Sequence, residues 1–71
     1  MKDAFTSEQL GAAIRAARKA QGLRQDELAG AAGVGLRFVV ELERGKPRVQ
    51  LDKVLAVLAA LGLRLRIEDR A

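Results

Sequence analysis

A chain of 71 residues holds one small domain, and a domain of this size buries only about 60% of the surface its unfolded chain exposes. It contains no cysteine, which excludes disulfides and thiolate metal sites and leaves self-association as the remaining device for holding a small scaffold together. Hydrophobic residues make up 49% but aromatic ones only 3%, and the net charge is +4: an aliphatic core of this kind favours helices packed on helices, and the basic balance suits a polyanionic partner, or simply solubility.

The first element starts at Thr6-Ser7-Glu8-Gln9, where a hydroxyl three residues before a Gln forms a capping-box pattern. Leu10, Ala13, Ile14 and Ala17 then recur at helical spacing up to the stop at Gln21-Gly22, so a helix is predicted from Ser7 to Gln21. A second, short helix spans Gln25 to Ala32, with Asp26 and Glu27 in the first turn, where carboxylates complement the dipole. Gly33 ends it. A third carries Val39 and Leu42 inward between Leu36 and Arg44 and is broken by Gly45-Lys46-Pro47. From Gln50 to Leu61, the positions Leu51, Val54, Leu55, Leu58 and Leu61 predict a fourth amphipathic helix whose inner face closes the core.

After Gly62 the period changes. Leu63, Leu65 and Ile67 alternate with Arg64, Arg66 and Glu68, the pattern of a half-buried strand. A lone strand has no ladder partner within a helical chain, so the expectation is pairing with the same strand of a second copy; a frayed tail is the plainer reading. The predicted organisation is a single domain over 1–71, all-α, with four to five helices over 6–62 and a dimerisation strand over 63–69.

Function is concentrated between residues 21 and 46. Two short helices meet across Ala32-Gly33-Val34-Gly35, with the small Ala29 permitting close approach and Val34, Val39 and Leu42 anchoring the third helix. The opposite side of that helix then faces outward, and its exposed start is shaped to enter a major groove.

This segment resembles the phage-repressor-like (Xre) helix-turn-helix family over Leu10 to Leu63. The family's Leu-x-Gln-x-Glu-Leu-Ala stands here as Leu23 to Ala29, its Gly-Val as Gly33-Val34, and its Leu-Glu-x-Gly-Lys as Leu42 to Lys46. The compact size, Arg37-Phe38-Val39, the run Glu41 to Pro47 and the terminal strand are similar to the HipB-type antitoxins within that family. The resemblance implies that the third helix reads bases from Leu36, Arg37, Val40 and the neighbouring Glu41, with Gly35 opening the helix where Ser or Thr is usual. Arg37 is the first choice as reader, since a guanidinium can donate twice to guanine; a solvated charge is its alternative. It further implies phosphate contacts from Gln25, Arg24, Arg44 and Lys46, with Arg48 nearby, and a buried structural ion pair between Arg18 and Glu43. Arg24 stands where a capping Thr or Ser is more usual. Phe38 is open to both packing and thymine contact, and Leu63, Leu65 and Ile67 are assigned to the dimer.

An enzyme has little to work with: there is no His, Cys or Tyr, and the one Ser and one Thr sit at a helix start. No catalytic residue, metal ligand, cofactor or small-molecule ligand is expected. No apolar run approaches the about 18 residues of a membrane span, and Met1-Lys2-Asp3 leads into no signal-type region, so a cytoplasmic protein is expected. The reading is a homodimeric repressor binding double-stranded operator DNA, as the antitoxin partner of a HipA-type kinase. The alternatives are a stand-alone regulator of the same family, and a protein-binding antitoxin or dimerisation module with weak DNA binding.

Overall fold

A computed structural model describes residues 6–69 of the chain. It contains four helices: α1 (Ser7–Ala20), α2 (Gln25–Ala32), α3 (Leu36–Glu43) and α4 (Leu51–Ala60). Helix α1 packs on α3, α3 on α2, and α2 on α4. Ile14, Leu28, Ala29, Val39, Leu42, Val54, Val57, Leu58 and Leu61 form the core, so every helix supplies part of it and α4 or its C-cap supplies four of the nine. No helix among the described residues is long and apolar enough to cross a membrane.

The ends of the helices are set by local chemistry. Thr6 Oγ1 accepts from Gln9 N–H at 3.0 Å while Gln9 Oε1 accepts from Thr6 N–H at 3.2 Å, the reciprocal box that starts α1. All four helices close alike. The N–H groups of Leu23, Val34, Lys46 and Leu63 donate back to the carbonyls of Arg18, Ala29, Glu41 and Leu58, at 2.8 to 3.1 Å. That return needs a left-handed residue just before the donor, and a glycine with positive φ stands there each time.

Two glycines do more than turn the chain. A Cβ at Gly11, in the middle of α1, would lie 2.8 Å from Glu43 O and closer still to Leu42 O; a Cβ at Gly45 would lie 2.8 Å from Glu8 Cα. Helix α1 therefore lies directly on the last turn of α3, backbone to backbone. Gly11 went unremarked in the sequence, although a glycine inside a helix costs about 1 kcal/mol relative to alanine and so calls for a packing reason.

One expectation is corrected. Leu51 and Leu55 do not face the core: they are 63% and 42% exposed, and Val57 takes the inner position instead. Apolar residues at 51, 54, 55, 57, 58 and 61 cover more than one face of α4, and packing against α2 decides which is buried. Residues 63–69 form no strand in the single chain. A ladder needs a second strand, and the described residues offer none. Leu63 folds back against the core, whereas Leu65 and Ile67 are exposed.

The glycines give opposed predictions. Gly30 lies inside α2 with nothing within 4 Å of an added Cβ, so Gly30→Ala should stabilise by about 0.5–1 kcal/mol. Gly11→Ala drives a methyl into backbone and should destabilise by about 1–3 kcal/mol before the small gain in helix propensity. Thermal melts followed by circular dichroism should move in opposite directions, each by about 4–8 °C per kcal/mol. A Gly11→Ala chain as stable as the parent would mean that α1 can move off α3 at little cost.

Candidate nucleic-acid interface

Helix α3 is held from its far end. Arg18 on α1 lays its guanidinium side-on against Glu43, with Nε donating to Oε2 at 2.7 Å and Nη2 to Oε1 at 3.0 Å. Its third edge, Nη1, donates to Leu23 O at 2.8 Å, and Gln25 Nε2 at the start of α2 donates to Glu43 Oε1 at 3.1 Å. Both charged side chains are buried. No buried side-chain nitrogen or oxygen among the described residues lacks a hydrogen bond. The Glu43 hydrogen bond raises the Arg18 guanidinium above its ordinary value, against burial, which acts the other way.

The near end of α3 is open. Gly35 is its N-cap and, lacking a side chain, offers no capping bond to the first amides. Leu36 is half exposed, the Arg37 side chain is 90% exposed, and Val40 is half-buried on the same helix. Phe38 packs against the core, and Lys53 Nζ on α4 lies 5.8 Å from the centre of its ring, a cation–π distance. This contact favours the packing role over thymine contact.

The cations around α3 fall into two sets. Some are paired: Arg37 with Glu41 at 3.6 Å, Lys46 with Glu41 at 3.2 Å, and Arg24 with Asp26 at 3.0 Å, all on the surface. The bond from Lys46 holds the Glu41 carboxyl below its ordinary range, and the bond from Arg24 does the same for Asp26. Both carboxylates are thus ionised at neutral pH, and such pairing fades as pH falls through the lowered values. Arg44 and Arg48 are exposed and have no ion-pair partner among the described residues.

A shallow cleft between α1, the start of α2 and α3 is lined by Arg15, Gln25, Val40, Glu43 and Arg44. It brings together Gln25, Val40 and Arg44, which the sequence had assigned to one surface, and adds Arg15, which the sequence reading left out. Arg15 lies off the apolar stripe of α1, one turn before Arg18, and that register is the signal that could have found it. Arg24 lies apart from the cleft. Its side chain cannot accept a capping bond, so α2 is capped only from the other side, by Glu27 Oε1 accepting from Arg24 N–H at 2.8 Å.

Comparison with known proteins agrees with this geometry. A family model described as "Helix-turn-helix" matches residues 14–67. A curated relative from Sinorhizobium fredii (strain NBRC 101917 / NGR234), named "Uncharacterized HTH-type transcriptional regulator y4mF", is 60% identical over 62 residues, which cover 87% of this chain and 82% of the relative. Among solved structures, chains named "MDT Protein", "HipB-O4 20mer complex" and "Structure of HipA-HipB-O2-O3 complex" each superpose with a TM-score of 0.89 at 22% identity, over the full length of both chains. At that identity the likeness is one of fold.

Removing one half of the buried pair should be far worse than removing both. Arg18→Met or Glu43→Gln alone should cost about 3–5 kcal/mol by leaving a buried group without its partner, a large fraction of the whole stability of a domain this small. Arg18→Met combined with Glu43→Leu should recover much of that loss in urea titrations. A single variant costing less than about 1 kcal/mol would show that the pair does not set the position of α3.

Proposed function

The chain belongs to the helix-turn-helix family, and from that premise we propose that it is a homodimeric transcriptional repressor that sets the start of α3 into the major groove of an operator duplex. The observation that carries this reading is the contrast along α3. Its C-terminal end is locked to α1 and α2 through Glu43, while its N-terminal end presents Arg37 almost fully to solvent beside an uncapped Gly35. A reading helix needs that combination: a fixed base and an exposed tip.

In this reading Arg37 donates to O6 and N7 of a guanine, Leu36 and Val40 meet thymine methyls, and the backbone at Gly35 lies against the duplex. Arg24, Arg44 and Lys46, joined by Arg15 from the cleft, neutralise phosphates and Gln25 donates a hydrogen bond to one, which fixes register without reading sequence. Gln25 would share its side chain between phosphate and Glu43. Two copies join through residues 63–69, with Leu65 and Ile67, exposed in the single chain, covered by the partner and Leu63 bridging to the core. Their reading helices then stand about one DNA turn, ~34 Å, apart on a near-palindromic site.

The narrower reading is an antitoxin that also binds a HipA-type kinase. Its support is the full-length likeness of fold to the chain in the structure named for a HipA-HipB-O2-O3 complex. A stand-alone regulator is the second reading, favoured by the 60% identical relative, whose name speaks of transcriptional regulation alone. Co-elution of the purified chain with a purified HipA-type kinase in gel filtration separates the two.

The central test is fluorescence anisotropy against DNA from the chain's own upstream region and a scrambled duplex, at two salt concentrations. Arg37→Glu with Lys46→Glu should lower operator affinity by about a hundredfold and flatten the salt slope while leaving the helical signal unchanged. Unaltered affinity removes α3 as the reading element. Deleting residues 64–71 should shift the sedimentation equilibrium toward monomer and weaken operator binding with it. A truncated chain that is still dimeric at micromolar concentration would move the interface elsewhere, for instance to the exposed Leu51 and Leu55 of α4.

A further inference from the structure

Helix α3 carries two carboxylates with opposite fates. Glu43 is buried and committed to Arg18, whereas the Glu41 side chain is 33% exposed and lies between Arg37 and Lys46. Glu41 Oε1 accepts from Lys46 Nζ at 3.2 Å, and Glu41 Oε2 lies 3.6 Å from Arg37 Nε. Lys46 is tied to the same residue a second time, because its backbone N–H donates to Glu41 O at 3.1 Å in the turn that closes α3. The lysine stem thus starts from a point fixed relative to the carboxylate that holds its other end.

The stability of α3 does not call for this arrangement. Arg37 precedes Glu41, the less favourable order for an i, i+4 pair relative to the helix dipole, and exposed ion pairs contribute little to stability. Their geometry has a different consequence. Any phosphate that takes Lys46 must first displace a carboxylate already bonded to it, and the freed carboxylate then faces the polyanion. Arg37 is held more loosely, at a longer distance and with its side chain almost wholly in solvent.

We propose that Glu41 is an internal competitor of the nucleic-acid backbone, which holds Lys46 in the free chain and so keeps down its affinity for DNA of arbitrary sequence. The inference rests on the nucleic-acid reading above and adds to it a residue that opposes binding. Contact with phosphate is the whole of sequence-blind association. A carboxylate aimed at a phosphate-seeking lysine therefore acts on the mode of binding that a repressor must limit, since arbitrary sites vastly outnumber operators.

The test is a double-mutant cycle on a scrambled 20-base-pair duplex, with Glu41→Gln, Lys46→Met and the two combined, all checked for unchanged helicity. Glu41→Gln should tighten binding by about two- to fivefold at low salt and steepen the salt slope by about 0.9, the value for one added phosphate contact. In the Lys46→Met background the same substitution should change affinity by less than about twofold. An equal gain in both backgrounds would mean that Glu41 repels DNA only as a general negative charge, and no gain in either would mean that it does not compete; each overturns the inference and leaves the interface reading standing. A folded parent chain that binds neither this duplex nor the upstream DNA removes the interface reading itself, and the inference with it.

Discussion

The geometry of the molecule depends on the buried contact between Arg18 and Glu43. One guanidinium and one carboxylate join four pieces of chain: α1, the turn at Leu23, the first residue of α2, and the last of α3. A buried ion pair of this kind need not add net stability, because desolvation offsets most of the attraction. What it supplies is geometry. The guanidinium fork fits a carboxylate in one plane and a carbonyl on its third edge, so α3 cannot rotate or slide without stranding a charge. Gly11 and Gly45 work in the same direction, because they bring the backbone of α1 close enough for Arg18 to reach Glu43.

A helix of eight residues is too short to be stable by itself, and α3 lacks a capping side chain at its start. Its order comes from its far end and from Val39 and Leu42 in the core. The first two residues of the helix, Leu36 and Arg37, stay exposed outside the core, and both are among those the proposed function uses. The charges around it are not simply a positive surface. Glu41 and Asp26 each hold cations that would otherwise face outward, so the interface is partly self-neutralised. The proposed contacts with a duplex are in large part exchanges of one anion for another.

Much of this was legible in the sequence, and what was not has identifiable causes. The box at Thr6 and Gln9 and the glycine stops are local signals, and local chemistry alone decides them, so the helix limits came within a residue or so of those observed. The ion pair is not local. Arg18 and Glu43 are 25 positions apart, and only the family pattern joined them. Helix α4 misled because its apolar residues exceed one face, so that Leu51 and Leu55 fit the period as well as Val57 did. The sequence assigns no role to Arg15 or Gly11 because their importance lies in what they approach, α3 in both instances, and spacing along α1 cannot express that. The alternation from Leu63 to Ile67 predicts a strand, and the described residues of the single chain offer no second strand for it to pair with.

The proposed dimer connects stability with function through the tail. Among the described residues five large apolar side chains, those of Leu36, Leu51, Leu55, Leu65 and Ile67, are exposed, against a buried core of nine. In the proposed dimer the tail covers part of this surface, and association stabilises the folded state by mass action. In that proposal the same association places two reading helices on one operator. Dilution would then act twice, lowering the stability of each domain and halving the site it can read. A sensor domain is not needed for such a protein to respond to its own abundance, because occupancy of its operator already falls with the dimer, more steeply than in proportion to the chain concentration.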